Sequence, residues 1–421
     1  MINLSDKKNR ILLLAVIDIL LCFTVVMVAF FQNDRVLKLY HQQADKRWET
    51  NDSMDYSQVS AFFANDKLVD ENAIITYRNT IMKKLYDDSY IDSDEGVEKR
   101  TWYDTYYGIG STSLRIDDQY FSCRVIAVSD DFFKMHPIPL KGGTYMNMKE
   151  DLCQIVLDEN MAWKLFKSSD VTGKEVWVDN TVFTVVGVVN GPRGAAEEQA
   201  YGNDDTIYMP FKAYKKFDEE VKISGYEAVI PNPIKNYAYN IMTTAVGVTI
   251  PTDTEKNSQR SSLEFGDTHV VENSSRFTFF GLVEQVKNSK YSSMDTMKIS
   301  YPFWENVARF ETDRAKRVFI LEAGLLLIPL LTVVGFIIWI YSKRSVVFNK
   351  RNKEKLICFF EDLGEALRDK FRKKKPEDEF EDVDMSDVFK LQEKQSTDDE
   401  ESPDEEDQSF DGEEVFDEDN E

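Results

Sequence analysis

Two long apolar segments constrain the fold of this chain more than any other feature. Residues 11–31 are apolar apart from Asp18 and one threonine, and residues 318–341 are apolar apart from Glu322 and one threonine. An α-helix rises about 1.5 Å per residue, so either segment can cross the roughly 30 Å hydrocarbon core of a bilayer. We therefore expect two transmembrane helices that bracket a large segment, residues 32–317.

Basic residues beside the apolar segments predict their orientation. Lys7, Lys8 and Arg10 precede the first segment, and six lysines and arginines follow the second between residues 343 and 355. Because the cytoplasmic flanks of membrane helices are rich in lysine and arginine, both termini should be cytoplasmic and the segment between the helices extracytoplasmic. A cleaved signal peptide is the alternative for residues 11–31. An uncleaved anchor is favoured, since the end of that run lacks the small residues of a cleavage site.

The formal net charge of −24 belongs mainly to the C-terminal tail. Residues 376–421 contain 23 acidic residues and two lysines, so the rest of the chain is nearly neutral. A segment with so few apolar residues cannot bury enough surface to fold, which predicts a disordered acidic tail. The acidity therefore does not mark a binding surface on the folded part, and nothing in the composition indicates nucleic-acid binding.

Residues 342–375 lie between the second apolar segment and the tail and are predicted to form a basic amphipathic helix. Apolar residues recur there at helical spacing with charges between them. They are Leu356, Phe359, Phe360, Leu363, Leu367 and Phe371. Such a helix can lie on the anionic inner leaflet, or it can pack on a partner subunit such as a cytoplasmic ATPase.

One stretch of the extracytoplasmic segment, residues 129–189, is patterned residue by residue. The pattern predicts a short helix after Ser129, a turn at Gly142-Gly143, a strand over residues 154–157, a helix capped by Asp158, and a hairpin that turns at Asp179-Asn180. Its motifs read Asp131-Phe132-Phe133, Leu140 to Gly143, Val156 to Phe166, Gly173-Lys174 and Phe183 to Val189.

These motifs resemble, in order and spacing, the periplasmic core domain of MacB-type (FtsX-like) ABC transporter permeases. Ile207 to Phe211 resembles a further strand of the same domain. The sequence departs from the family pattern once, because Lys167 stands where the family has a glycine. The resemblance implies an α+β fold, in which a mixed α/β core domain of two subdomains lies between the two membrane helices.

The remaining extracytoplasmic residues are assigned by periodicity alone. Expected strands cover residues 56–63, 101–107, 120–128, 226–230 and 237–248, and expected helices cover residues 70–85, 253–265 and 300–316. Gly108 to Ser111 is interpreted as a turn and residues 190–206 as a loop. Residues 32–48 are expected to continue the first membrane helix as a stalk.

The sequence offers little catalytic chemistry. Its three histidines, His41, His136 and His269, are far apart along the chain and lack metal-ligand spacing. Standard hydrolase, metalloprotease and phosphate-loop motifs do not occur. Asp158-Glu159 is better explained as the start of a helix than as an acid/base pair. We therefore expect a protein that is not an enzyme, without a catalytic, cofactor or metal site.

Three side chains carry more specific hypotheses. Asp18 lies inside a membrane helix, where an ionised carboxylate costs at least ~2.5 kcal/mol, so it is a candidate contact for a polar or basic residue of another membrane protein. The alternative is a protonated acid tolerated near the inner interface. Cys123 and Cys153 are both extracytoplasmic and could form a disulfide, or they could be buried free thiols.

The resemblance implies a function as well as a fold. Family permeases have four membrane helices, dimerise, bind an ATPase and transmit ATP-driven closure through long helices to the external domain. This chain shows one predicted membrane helix after its domain and no nucleotide-binding domain, so we expect a permease-like or accessory subunit. Its partners would be the lipid bilayer, a separate ABC ATPase and a four-helix permease, or a second copy in a homodimer, with an unidentified substrate. The alternative is a stand-alone surface receptor or sensor whose acidic tail docks cytoplasmic partners.

Overall fold

The computed structural model describes residues 7–48, 54–90, 100–192, 195–201, 205–248, 267–287 and 298–342. The described residues up to Val334 form one compact unit, and the contacts described below lie within it. The predicted basic amphipathic helix, apart from Ser342, lies outside the described residues. The acidic tail and the predicted helix over residues 253–265 lie outside them as well.

The first half of the described chain alternates helices with the opening strands of a sheet. Its elements are α1 (Lys7–Leu37), a 3-10 turn (Tyr40–Gln42), α2 (Ala44–Trp48), β1 (Tyr56–Phe63), α3 (Glu71–Asp87), β2 (Tyr103–Ile116), β3 (Gln119–Val128), α4 (Phe132–Met135), β4 (Leu140–Gly143), β5 (Gln154–Asp158) and α5 (Glu159–Phe166). The second half completes the sheet and ends in a long helix. Its elements are β6 (Glu175–Val178), β7 (Thr181–Val189), α6 (Ala195–Tyr201), β8 (Thr206–Pro210), α7 (Phe211–Tyr214), β9 (Gly225–Pro231), α8 (Tyr237–Ala245), β10 (Thr268–Glu272), α9 (Phe279–Lys287) and α10 (Phe303–Ser342).

All ten of these strands belong to one sheet. Their order is β10-β1-β9-β2-β3-β8-β5-β7-β4, with β6 beside β2 and β7. The pairs β3–β8 and β5–β7 are parallel, and the other pairs are antiparallel. The fold is therefore a mixed α/β domain, as expected, and its strands form one uninterrupted sheet.

Both faces of the sheet are buried, which explains why several strands read as continuous apolar runs. Successive side chains point to opposite faces, so Val59 and Ala61 of β1 enter one core while Phe62 enters the other. Helices α3 and α8 cover the first core through residues such as Ile81 and Ile241. Helix α4 and the start of α10 cover the second core with a set of aromatic side chains.

Many predicted elements are confirmed. Strand β1 has the predicted bounds, the hairpin β6–β7 turns at Asp179-Asn180, and α3 begins after Asp70, whose carboxylate accepts a hydrogen bond from Ala73 N at 2.9 Å. Asp158 caps α5 as predicted, because its Oδ1 accepts a hydrogen bond from Met161 N at 2.6 Å. Capping residues and a β-turn dipeptide are local signals, which is why these assignments succeed.

Two predicted turns are wrong. Gly108 to Ser111 lies inside β2, and its glycines permit close approach: a Cβ at Gly110 would lie 2.2 Å from the Tyr214 hydroxyl. Gly142-Gly143 ends β4, where a Cβ at Gly143 would lie 2.2 Å from Val186 O. Gly110 and Gly143 are therefore needed for the packing of one segment on another rather than for a reversal of the chain.

Two further assignments are also wrong. Residues 237–245 form α8 rather than a strand, because Ala238, Ile241 and Met242 fall on one helical face that packs on the first core. Two tyrosines and two threonines in this segment gave it a strand-like composition. Helix α6 lies inside the predicted loop over residues 190–206.

Both apolar segments form helices that are long and apolar enough to cross a membrane. The predicted stalk over residues 300–316 is helical and continues into the second apolar segment as the single helix α10. The stalk predicted over residues 32–48 is confirmed only as far as Leu37, where α1 ends, and is wrong beyond it, because a 3-10 turn follows. In that turn His41 and Gln42 are buried against the domain, which explains why the helix does not continue into solvent.

Candidate functional site at the junction of the sheet and the apolar helices

The segment that leaves α1 and the segment that enters α10 meet on the second face of the sheet. They converge on one buried carboxylate, that of Glu227 in the middle of β9. We call this cluster the joint, and it consists of Gln42, Gln58, His136, Glu227 and Trp304.

Glu227 is only 1% exposed and is fully engaged in hydrogen bonds. Its Oε1 accepts a hydrogen bond from Trp304 Nε1 at 3.2 Å and lies 3.0 Å from His136 Nε2. Its Oε2 accepts one from Ser60 Oγ at 2.6 Å. Burial alone would raise the pKa of Glu227, but the charge of His136 and the hydrogen bonds from His136, Ser60 and Trp304 together lower it. The buried carboxylate is therefore held ionised by its neighbours.

Two glutamines tie the segment after α1 to the joint. Gln58 of β1 accepts a hydrogen bond from Ala44 N at 2.9 Å, and its Nε2 donates to His41 O at 2.8 Å. Gln42 Nε2 donates to Trp304 O at 2.9 Å, which joins this segment directly to the start of α10. The segment after α1 and the start of α10 are thereby fixed to the same point on the sheet.

Aromatic packing surrounds the polar core of the joint. The ring centroid of Trp304 lies 4.6 Å from that of His136, 5.0 Å from that of Tyr107 and 5.4 Å from that of Phe132. Phe132 belongs to the Asp131-Phe132-Phe133 motif, so this motif supplies one wall of the joint. Such aromatic pairs contribute about 0.5–1.5 kcal/mol each beyond the burial of their area.

A buried ion pair holds α10 at the residue directly after Trp304. Arg276, between β10 and α9, donates from one terminal nitrogen to both carboxylate oxygens of Glu305 at 3.0 Å. Its Nε donates to Thr312 Oγ1 at 2.9 Å. Because removal of one partner leaves an uncompensated buried charge, this contact fixes the rotation of α10 about its own axis.

The fold brings together two histidines that the sequence separates widely. The ring centroids of His41 and His136 are 5.5 Å apart. Burial, then the charges of His136 and Arg47, lower the pKa of His41 well below its ordinary value, so His41 is neutral at pH 7. Within the described part of the chain, no three His, Cys, Asp or Glu side chains are grouped so as to hold a metal ion.

The other predicted site residues lie elsewhere. Asp18 Oδ2 accepts a hydrogen bond from Thr332 Oγ1 at 2.7 Å, so the carboxylate contacts the second apolar helix of its own chain. Asp18 Oδ1 is buried and makes no hydrogen bond to the described residues. The six apolar positions from Leu356 to Phe371 lie outside the described residues and remain a prediction.

Cys123 and Cys153 are free thiols in the structure, so the disulfide alternative is absent from it. Cys123 adjoins Arg124, which pairs with Thr206 at the start of β8. Cys153 adjoins the start of β5, and the antiparallel pairing of β5 with β8 places it level with the far end of β8. Burial, followed by the charges of Asp158 and Asp205, raises the pKa of Cys123 to about 12.

A family model for the MacB-like periplasmic core domain matches residues 27–257, which is more than half of the chain. The chain therefore belongs to the family of the MacB-like periplasmic core domain, as the sequence motifs predicted. It is a bacterial membrane protein with an extracytoplasmic domain. The family is a transport component rather than a classical enzyme.

Individual relatives match shorter parts of the chain. The macrolide export ATP-binding/permease protein MacB of Neisseria gonorrhoeae is 31% identical over 103 residues, which are 24% of this chain. The protein of the same name from Neisseria meningitidis serogroup A matches equally. The chain spans 15% of the length of these curated relatives.

Two solved structures are similar. The periplasmic region of MacB from Actinobacillus actinomycetemcomitans is 13% identical and covers 56% of this chain and 94% of that chain, with a TM-score of 0.35. The extracellular domain of the ABC-type transporter YknZ from Gram-positive bacteria is 12% identical and covers 51% of this chain and 99% of that chain, with a TM-score of 0.31.

The joint was not predicted from the sequence. Glu227 gave one usable signal, because it is a lone acid in the otherwise apolar run from Tyr226 to Ile230. A charge that is buried in a strand needs partners from other elements. Trp304 and Gln42 gave no such signal, since an isolated tryptophan or glutamine in a helical segment is compatible with many environments.

Proposed function

We propose that this chain is a non-catalytic, permease-like or accessory subunit of an ABC transporter complex. In this proposal its extracytoplasmic domain gates substrate or contacts envelope partners, and it is mechanically coupled to the two membrane helices. The observation that carries the proposal is the hydrogen bond from Gln42 to Trp304 O. It joins the segment that follows α1 to the start of α10, beside Glu227. Both termini would be cytoplasmic, and residues 32–317 would lie outside.

The joint is suited to transmit force rather than to absorb it. To separate the segment after α1 from the start of α10, the buried hydrogen bond from Gln42 to Trp304 O must break. To separate the same segment from β1, the buried hydrogen bonds of Gln58 with His41 O and Ala44 N must break. A buried donor or acceptor that loses its partner costs about 1–3 kcal/mol. A relative tilt or shift of the two helices therefore moves β1 and β9 with it, since both strands contribute side chains to the joint.

The energy source and the remaining membrane helices would come from partners. We propose a separate ABC ATPase and either a four-helix permease or a second copy of this chain. Asp18 would contribute to this assembly: Oδ2 is held by Thr332, while Oδ1 is covered within the single chain and makes no hydrogen bond to the described residues. A small rotation of the side chain toward a donor on a partner helix would satisfy Oδ1. A carboxylate oxygen without a partner in hydrocarbon is costly, which favours such a contact.

Affinity purification of the tagged full chain in mild detergent tests the partnership. Recovery of an ATPase in stoichiometric amount supports the proposal, and recovery without any ATPase counts against it. Asp18→Leu should weaken this recovery, whereas Thr332→Val, which removes only the internal hydrogen bond, should leave it. Unchanged recovery with Asp18→Leu would show that Asp18 is not a partner contact.

Coupling is tested in the recovered complex with a matched pair of glutamines. The Gln42 side chain donates to Trp304 O of α10, while the Gln43 side chain donates to Val36 O at the end of α1. If the joint transmits force, Gln42→Ala should reduce transport-dependent ATP hydrolysis clearly more than Gln43→Ala. Equal effects of the two substitutions would refute mechanical coupling at this point.

A further inference from the structure

An exposed aromatic pair lies at the start of α9. Phe279 is 64% exposed and Phe280 is 72% exposed, although both are large apolar side chains. The ammonium of Lys235 lies 5.8 Å from the ring centroid of Phe280, and the neighbouring Ile234 is also exposed. This set of Ile234, Lys235, Phe279 and Phe280 is called the apolar foot below.

The contacts of α10 fix the position of the apolar foot along that helix. The segment from Arg276 to Phe279 runs beside α10, with Arg276 on Glu305 and Thr312 and with Phe279 on Phe319. These three α10 residues are seven apart, so they lie on one face of the helix. At ~1.5 Å per residue, Phe319, which Phe279 contacts, lies about 21 Å further along α10 than the ion pair at Glu305.

That position coincides with the start of the apolar membrane segment. Phe319 is the second residue of the apolar run over residues 318–341, and the exposed Arg317 lies just before it. At the outer end of α1, Arg35 is 4.0 Å from Glu311, and Phe319 is about 12 Å further along α10 than Glu311. The apolar run of α1 ends only four residues before Arg35, a shorter rise than the one from Glu311 to Phe319. Phe319, and Phe279 beside it, therefore lie level with the apolar part of both helices.

We propose that Phe279 and Phe280 insert into the outer leaflet of the bilayer, so that the apolar foot is a third membrane contact of the domain. The occupant is lipid, because the foot is continuous with the lipid-facing surface of α10 through the contact of Phe279 with Phe319. Aromatic side chains flanked by a lysine are suited to the boundary between headgroups and acyl chains. This inference rests on membrane insertion of the two apolar helices and not on the transporter role.

Spin labelling of the full chain in bilayer nanodiscs tests the proposal. The four native cysteines are replaced, and a label is placed at Phe280→Cys; this side chain is exposed, so its loss removes little packing within the domain. Collisions with oxygen, which concentrates in lipid, are compared with collisions with a water-soluble nickel chelate. Tyr120→Cys, 71% exposed on β3, is the aqueous control, and Leu331→Cys is the lipid control.

A label at residue 280 should resemble the label at residue 331, with frequent oxygen collisions and few nickel collisions. A label at 280 that resembles the one at 120 would overturn the proposal, because the foot would then lie in water. Few collisions with either reagent would also overturn it, since protein, such as a second copy or a partner subunit, would then cover the foot. Frequent nickel collisions at residue 331 would show that α10 is not inserted, which removes the basis of the proposal.

Discussion

Trp304 at the start of α10 donates an indole hydrogen bond to the carboxylate of Glu227 in β9, at 3.2 Å. This contact joins a helix that continues into an apolar membrane segment to one of the inner strands of the sheet. A tryptophan at this point provides both a large packing surface and a single donor, so its position is defined in distance and in orientation.

Removal of the Glu227 carboxylate should destabilise the domain strongly. In Glu227→Ala the donors of Ser60 and Trp304 lose a buried acceptor, so we expect a loss of about 3–5 kcal/mol in the free energy of unfolding. Thermal unfolding of the detergent-solubilised chain measures this loss. Glu175→Ala, at an exposed position of β6, is the control and should change stability by less than about 0.5 kcal/mol. Similar unfolding midpoints for the two variants would contradict the central role of Glu227.

Lys167→Gly should stabilise the protein. Lys167 ends α5 in the left-handed conformation with φ of 54°, and its N–H is bonded to Trp163 O. A side chain costs about 1–2 kcal/mol in this conformation, partly offset by the greater entropy of glycine in the unfolded chain, so we expect a net gain of about 0.5–1 kcal/mol. Lys174→Gly, where φ is not positive, should destabilise instead. A gain in both variants would indicate an effect unrelated to backbone conformation.

Loss of the Asp158 cap should cost more than loss of the Asp70 cap. Asp158 is buried and accepts two backbone hydrogen bonds, from Met161 N at 2.6 Å and from Thr206 N at 2.7 Å. Asp70 accepts one such bond at an exposed helix start. We expect about 2–3 kcal/mol for Asp158→Ala and about 1 kcal/mol for Asp70→Ala, measured by unfolding of the two variants side by side. Equal losses would contradict the second role of Asp158 in holding β8.

Stability should fall as the pH is lowered from 7 towards 5. Burial, then the charges of Arg309 and Arg276, lower the pKa of His269 from 6.5 to about 3, and that of His41 is lowered as well. Below pH 6.5 the unfolded histidines bind protons that the folded ones do not, so stability is lost on acidification, at up to about 1.4 kcal/mol per pH unit for each histidine. Burial raises the pKa of Asp158 to about 6, which opposes this loss below pH 6 by the contribution of one group, so the two histidines give a net fall. Unfolding midpoints across this range measure the slope.

His269→Gln isolates one of these contributions. Glutamine can still accept a hydrogen bond from the Tyr301 hydroxyl, which lies 2.7 Å from His269 Nδ1, but it does not titrate. We expect the slope of stability against pH to decrease by about one proton in this variant. A slope equal to that of the unmodified chain would show that His269 does not titrate on unfolding.

Cys123 and Cys153 should differ in reactivity. Both are free, but Cys123 is buried with a pKa raised to about 12, whereas Cys153 is partly exposed at the start of β5. Because the thiolate is the reactive form, a maleimide reagent at neutral pH should modify Cys153 first and Cys123 only on unfolding. Intact mass with and without reductant is the control, and a mass difference would reveal a disulfide instead.

The sequence predicted what depends on local signals and missed what depends on distant contacts. Asp158 predicts the start of a helix from the residues directly after it, and the two apolar segments predict membrane helices from their length alone. The joint could not be assembled in this way, since Gln42, His136, Glu227 and Trp304 lie on four separate elements. Similarly, Gly110 was interpreted as part of a turn because the approach of Tyr214 is not visible in its neighbours along the chain.

The helix that begins beside Trp304 has a consequence for evolution as well as for mechanics. Between the joint and the apolar segment, α10 is continuous and is held at Glu305, Thr312 and Phe319 on one face. One inserted residue would rotate everything beyond it by about 100°, and three or four would nearly restore the angle. The part of α10 between the sheet and the membrane can therefore lengthen or shorten only by whole helical turns. This limit on its length holds even at positions where its sequence can vary.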